Sequence, residues 1–260
     1  LGIASFKNGV GISMNRFFVD RSQIEENGIR ITGKDVKHIK DVLRLKVKDM
    51  IEVVSEGMLY TCQILDMAND MVYGKIIDVT YGKNEPPIEI VLFQGIAKGD
   101  KMDLIVQKST EIGVKHIYPV VTKRTVVKIK DNKEKSKIDR WNAISHEAAK
   151  QSKRDFVPIV HDILTFNEML DVLKYEDNII VPYEMEHSLG LNEVLKRVKG
   201  NRISIIIGPE GGFEEEEVRI MKEIGGQVVT LGPRILRTET AGIVTMSLIL
   251  YELGDLGVIR

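Results

Sequence analysis

Two loops hold the residue types and spacings best suited to chemistry. In the first, the apolar run Ile203–Ile207 leads into Gly208-Pro209-Glu210-Gly211-Gly212-Phe213, followed by four glutamates, Glu214 to Glu217. Glycines let a backbone approach a ligand closely, and proline stiffens the turn. Helix starts attract anions, yet neither GxxxxGK[ST] nor GxGxxG is present. The glutamates complement the helix dipole themselves and would repel a phosphate. A neutral or cationic ligand held by backbone groups fits better; a plain strand–helix turn is the competing reading. The second loop is Leu231-Gly232-Pro233-Arg234-Ile235-Leu236-Arg237-Thr238-Glu239-Thr240-Ala241. It gathers two arginines, two threonines and a glutamate, either as a reactive cluster or as surface ion pairs. Thr238 or Thr240 is placed to cap the helix that follows.

Other chemistries are poorly provided for. The five histidines, His38, His116, His146, His161 and His187, show no HxxxH spacing, so no metal site is expected. No GxSxG or Cys–His constellation marks a hydrolase. The single cysteine, Cys62, reads as a small buried hydrophobe and excludes an internal disulfide. It points to a reducing, cytoplasmic compartment. No apolar stretch approaches the ~18 residues of a transmembrane helix.

The elements that must position the loops follow from periodicity. From Ile88 onward strands alternate with helices. Strands are expected at 88–94, 116–121, 178–182, 203–207 and 227–231. Helices are expected at 100–112, 137–152, 166–174, 190–199, 214–224 and 239–253. This alternation predicts a parallel α/β sheet whose ligand lies at the carboxyl ends of its strands. Before it, β-branched runs at Ile51–Val54, Leu59–Leu65 and Met71–Val79 predict a meander or small barrel. One helix over Lys34–Val42 interrupts them, with Thr32 or Asp35 as its cap. The expected division is an extension or expression remnant at 1–13, a barrel at 14–83, a linker at 84–87 containing Pro86-Pro87, and the α/β domain at 88–260. The extension lacks the apolar core of a signal peptide.

Hydrophobic residues make up 43% and charged residues 29%, which supplies a packed core and argues against wholesale disorder. The net charge of −1 hides a segregation. Residues 98–160 carry 15 basic and 8 acidic side chains, a local +7, whereas residues 161–260 carry 10 and 17, a local −7. A basic middle of this kind marks either a polyanion-binding face or unevenly solvated helices.

Taken together, Gly208–Gly212 and Leu231–Ala241 resemble the RsmE family, SPOUT-class RNA methyltransferases that act on N3 of a uridine in 16S ribosomal RNA. Arg16-Phe17-Phe18-Val19, His38 with Val42-Leu43-Arg44-Leu45, Lys98–Asp103, Lys108–Gly113, His146–Ser152 and Gly254–Gly257 extend the resemblance from Met14 to Gly257. It implies an N-terminal PUA-like β-barrel that helps bind RNA. It also implies a C-terminal SPOUT domain whose parallel sheet ends in a trefoil knot. S-adenosyl-L-methionine would sit in the knot loops. Its walls would be Pro182, Tyr183 and Glu184; Gly208, Pro209, Glu210, Gly211 and Gly212; and Leu231, Gly232, Ile235, Leu236, Arg237, Thr238, Thr240 and Ala241. Arg237 and Glu239 are the catalytic candidates, Arg237 as a cation beside the developing charge or as a grip on RNA. Glu239 would accept a proton, orient Arg237, or serve only as a helix N-terminal carboxylate.

Arg16, His38 and Arg44 are the RNA-contact candidates of the first domain. Lys98, Lys101, Lys123, Arg124, Lys128, Lys150, Lys153 and Arg154 make up much of the basic middle and would meet RNA phosphates. The expected partners are 16S rRNA within the small ribosomal subunit and a second copy of the chain, with no membrane. A non-catalytic ribosome-assembly factor and a SPOUT methyltransferase with another RNA target are the alternatives.

Overall fold

The computed structural model describes residues 14–127 and 131–258; the expectations for residues 1–13 and for Lys128 lie outside them. The chain separates into two units between Lys83 and Asn84.

The first unit is a curled five-stranded sheet in the order β1-β3-β4-β5-β2. Its strands are β1 (Asn15–Phe18), β2 (Gly28–Thr32), β3 (Met50–Ser55), β4 (Met58–Met67) and β5 (Met71–Tyr81). β1 runs parallel to β3, and the remaining pairs are antiparallel. Alternation at the period of a pleated strand sends Tyr60, Cys62 and Ile64 of β4 into the core, where they meet Phe17, Ile51, Val53 and Val72. The β3–β4 hairpin closes through Glu56 (φ 50°) and Gly57 (φ 78°), the doubly left-handed turn that matches strand twist. The helix expected over 34–42 is a single turn, α1 (Lys34–Lys37), which widens into a π-helical turn at His38–Val42. Gly33, not Thr32 or Asp35, precedes its first residue.

The second unit is a parallel sheet in the order β12-β10-β11-β6-β7-β8, with β9 also beside β7. Its strands are β6 (Glu89–Gly95), β7 (His116–Val121), β8 (Ile159–Val160), β9 (Leu164–Thr165), β10 (Ile179–Pro182), β11 (Arg202–Ile207) and β12 (Gln227–Val229). Both faces are covered, which explains the near-continuous apolar runs. Ile90 and Leu92 point into one core, which holds residues from α2 (Lys101–Ile112), α3 (Asp131–Gln151), α5 (Leu191–Leu195) and α7 (Thr238–Glu252). Val91 and Phe93 point into the other, which holds residues from α4 (Phe166–Leu173) and α6 (Glu215–Glu223).

Two expected elements are shorter than their apolar patterns. The helix expected over 190–199 ends at Leu195, and the strand expected to reach Leu231 ends at Val229, with Thr230 making only a bridge to Gly190. The expected linker is anchored at its start, because the Asn84 amide donates to Asp155 Oδ2 at 2.7 Å.

Candidate active site

β12, β10, β11 and β6 are neighbours in a parallel sheet, so the segments leaving their carboxyl ends converge. They enclose a cavity of about 460 Å³. Pro182 and Glu184 form one wall, Ile207 to Phe213 a second, and Ile235, Leu236, Arg237, Thr238 and Ala241 a third, with Lys101 of α2 completing the lining. A smaller hollow of about 100 Å³ adjoins it, lined by Tyr183, His187, Thr230, Leu231, Gly232, Pro233 and Arg234 and sharing Pro182, Glu184, Ile235, Leu236 and Ala241 with the main cavity.

β6 and the segment after it hold the walls in place. Gln94, fully buried, donates through Nε2 to the Thr238 hydroxyl at 2.9 Å, and that hydroxyl donates to the Gly208 carbonyl at 2.6 Å. The chain ties β6 to the loop after β11 and to the first residue of α7. At Gly95 a Cβ would stand 2.4 Å from the Pro209 nitrogen, so only glycine admits this approach. Gly212 adopts φ +67°, and a Cβ there would fall 2.7 Å from the Glu184 carboxylate.

Charges around the cavity are paired across elements. Lys101 Nζ lies 3.2 Å from Glu210 Oε1 and 3.4 Å from Glu239 Oε2. Glu210 also accepts from the Lys98 amide at 2.9 Å. Burial alone would raise the Glu210 pKa, but the Lys98 amide and the Lys101 ammonium outweigh it and hold the carboxyl below its ordinary range. At α6, Glu217 is buried and accepts from the backbone amides of Glu214 and Lys123, each at 2.9 Å. One glutamate therefore caps its own helix and fixes the loop after β7.

Of the expected cofactor residues, all but Thr240 line the cavity or the hollow; Thr240 is exposed on the first turn of α7. Arg237 sits at the helix N-cap, the place expected for Thr238 or Thr240, and its side chain is exposed on the cavity wall without an ion pair among the described residues. Glu239 partners Lys101 instead of Arg237.

The expected RNA contacts divide sharply. Lys98, Lys123 and Arg124 are exposed, as is Arg44, a non-glycine residue at φ 52°. Arg124 also donates to Glu214 Oε1 at 2.9 Å and to the Gly211 carbonyl at 3.1 Å, so it braces the glycine loop. Lys153 is half-buried at φ 58°, and His38 is half-buried with its ring edge-on to Phe17. Three expectations are corrected. The Arg16 side chain is 2% exposed and lies 3.0 Å from Glu52. Lys150 is buried beside Glu147 at 3.1 Å. Arg154 is buried, and its guanidinium donates to both oxygens of Glu85 (2.8 and 2.6 Å) and to the carbonyls of Thr110 (2.7 Å) and Val114 (3.0 Å). A buried guanidinium with four of its five N–H donors committed to these acceptors is not placed to meet a phosphate.

Sequence reasoning missed Gln94, Gly95 and the position of Lys101 in the cavity wall. The available signal was Gln94 itself, a lone amide in the apolar run Ile90–Ala97.

The profile of an RNA methyltransferase domain matches residues 84–250, and that of an RNA methyltransferase PUA domain matches residues 31–77. The ribosomal RNA small subunit methyltransferase E of Bacillus subtilis (strain 168) is 38% identical, with 92% of this chain and 97% of the relative covered. Its namesake from Mesomycoplasma hyopneumoniae (strain 232) is 34% identical, covering 88% and 96%. A crystal structure of a ribosomal RNA small subunit methyltransferase E from Neisseria gonorrhoeae, bound to S-adenosyl methionine, matches with a TM-score of 0.83 at 30% identity, covering 94% of this chain and 99% of that one. By agreement over both units, the chain belongs to the ribosomal RNA small subunit methyltransferase E family.

Proposed function

We propose that this protein transfers the methyl group of S-adenosyl-L-methionine to N3 of a uridine in the 16S rRNA of the small ribosomal subunit. The observation that carries the reading is the cavity. Two glycine-proline loops line it, two carboxylates, Glu184 and Glu210, face it, and Arg237, without an ion pair among the described residues, stands on its wall. Its volume of about 460 Å³ lies within the ~300–1,000 Å³ range of small-molecule sites. Backbone from the glycine loop and the two carboxylates suit a ligand bearing a sulfonium and an ammonium. The bound donor supplies an electrophilic methyl group.

Uridine N3 carries a proton and becomes a competent nucleophile only as that proton leaves. In this reading Arg237 holds the nucleotide and places positive charge beside the base. Glu239 acts through Lys101, the ammonium it pairs with. Arg44, Lys98 and Lys123, all exposed, meet RNA phosphates. The working form is a cytoplasmic homodimer.

Mass mapping of 16S rRNA from a strain lacking the gene, with and without the gene restored, tests the reading. One methyl at a uridine N3 that appears only on restoration is expected. A methyl on another atom, or none, overturns it. Folded protein that shows no calorimetric binding of S-adenosyl-L-methionine removes the enzyme reading in favour of an RNA-binding assembly factor.

A further inference from the structure

We propose that the Lys101 ammonium is the fixed cation that stabilises the uracil oxygen beside N3 as N3 loses its proton. The proposal rests on the uridine-N3 reading above and assigns that reaction a group outside the two glycine-proline loops.

Position comes first. Lys101 is the first residue of α2, delivered by the segment that leaves β6, and it lines the same cavity as Arg237 and Glu184. Its partners come from the two other walls: Glu210 from the loop after β11, at 3.2 Å, and Glu239 from the first turn of α7, at 3.4 Å. An ammonium has three N–H donors. The two carboxylates lie at ion-pair distances of 3.2 and 3.4 Å, so the ammonium can turn an N–H toward a guest in the cavity.

The pairing also resolves a conflict of charge. A lone cation in this wall would repel a sulfonium donor. Flanked by two carboxylates, Lys101 belongs to a triad of net charge −1, which tolerates a cationic ligand while still presenting an N–H donor. The Glu210 hydrogen bond outweighs partial desolvation and lifts the Lys101 pKa above its ordinary value, so the amine keeps its proton. Arg237 differs: it is exposed and unpaired among the described residues, and must be ordered when RNA arrives. A donor already fixed in place costs no reorganisation in the transition state, and this is the source of most electrostatic catalysis.

In the step so assisted, the N3–H proton leaves to water. The electron pair left on N3 forms the new N–C bond, and the S–C bond breaks with its pair returning to sulfur. Charge delocalised onto the neighbouring carbonyl oxygen falls beside Lys101, which neither gains nor loses a proton.

The test is single-turnover methylation of unmodified small subunits by full-length protein at saturating S-adenosyl-L-methionine across a range of pH, with calorimetric donor affinity measured alongside. Lys101→Gln keeps a polar N–H donor at the position and removes the charge. It is expected to lower the neutral-pH rate by about 100-fold while donor affinity changes little. The deficit is expected to narrow as pH rises and the base ionises unaided. Lys101→Arg, which restores the charge, is expected to recover at least about tenfold of that loss. Wild-type turnover by Lys101→Gln overturns the proposal. So does a rate loss that is constant across pH, matched by lost donor affinity, or equal in Lys101→Arg. Mapping the wild-type product separates the two ideas. A methyl away from N3 overturns the N3 reading and this proposal with it, whereas a methyl at N3 with an unaffected Lys101→Gln overturns this proposal alone.

Discussion

Arg237 and Arg154 are both arginines in loops next to helix ends, and their surroundings are opposite. The Arg237 side chain is exposed on the cavity wall and has no ion pair among the described residues. Arg237→Ala is therefore expected to change stability by no more than about 0.5 kcal/mol and to lower methylation by about 100-fold. Denaturant melts and single-turnover rates check the two halves, and near-normal turnover by the folded variant retires the role. Arg154 is held in a buried fork by Glu85. Arg154→Ala strands the carboxylate and two carbonyls, so a loss of about 3–5 kcal/mol is expected in denaturant unfolding. RNA affinity of the protein that remains folded should be unchanged. The sequence distinguishes the two poorly, because the partner that decides the matter lies 69 residues away from Arg154. The place of Arg237 on the cavity wall is easier to read, because its sequence neighbours Ile235, Leu236, Thr238 and Ala241 line the same cavity. Cys62 needed no partner to be read: it is buried, and burial pushes its thiol up to about 12, so it should resist thiol reagents in the native protein.

At the scale of elements, β6 is the strand on which the site is mounted. It lies between β11 and β7, turns Ile90 and Leu92 to one core and Val91 and Phe93 to the other, and ends in Gln94 and Gly95. Gly95→Ala forces a methyl into the Pro209 backbone; a loss of about 1–3 kcal/mol in unfolding free energy is expected, together with weaker donor binding by calorimetry. At its other end the sheet carries a titrating pair. His116 Nδ1 and His161 Nε2 are 3.0 Å apart, and Tyr118 stacks on His161 at 4.0 Å. Burial lowers both pKa values; Glu89 only partly restores His116, and His116 pushes His161 down further. Between the folded values and the unfolded value of about 6.5, the unfolded chain binds more protons, so stability rises with pH. The contribution is present above about 6.5 and lost as pH falls through the folded values. Melting temperature should thus fall as pH drops below about 6.5, less steeply in His161→Gln, and an equal slope in that variant would remove the pair as the cause. Long apolar runs such as β11 were legible because burial on both faces writes itself into composition. β8 and β9, two residues each, were not, since no period can show in so short a strand. α5 stops short of its apolar pattern because Val198 reaches the same core from a turn, without helix.

The molecule as a whole joins a PUA-like unit to a SPOUT-type unit, and its charge is arranged differently in space than along the chain. The basic segment 98–160 and the acidic segment 161–260 meet at the site: Lys101 pairs with Glu210 and Glu239, and Arg124 with Glu214. Two further cations of the segment are taken up from outside it, Arg154 by Glu85 and Lys115 by Glu89. A local sum of +7 therefore overstates the field offered to RNA, because counting along a chain does not register partners brought in by folding. Exposed cations without an ion pair among the described residues include Lys98 and Lys123 in the segments after β6 and β7, and Lys133 and Lys135 on α3. Only the first two leave the carboxyl ends of strands, on the side of the sheet where the cavity opens. If RNA docks there, removing one phosphate-neutralising cation should reduce the slope of log affinity against log salt by about 0.7–0.9. The double variant Lys98→Gln, Lys123→Gln is then expected to lower the slope by roughly 1.4–1.8, while Lys133→Gln, Lys135→Gln leaves it unchanged. Filter binding of 16S rRNA fragments over a salt series measures both. Equal slopes in the first variant and wild type would move the docking face off the cavity side, and a reduced slope in the second would place it along α3.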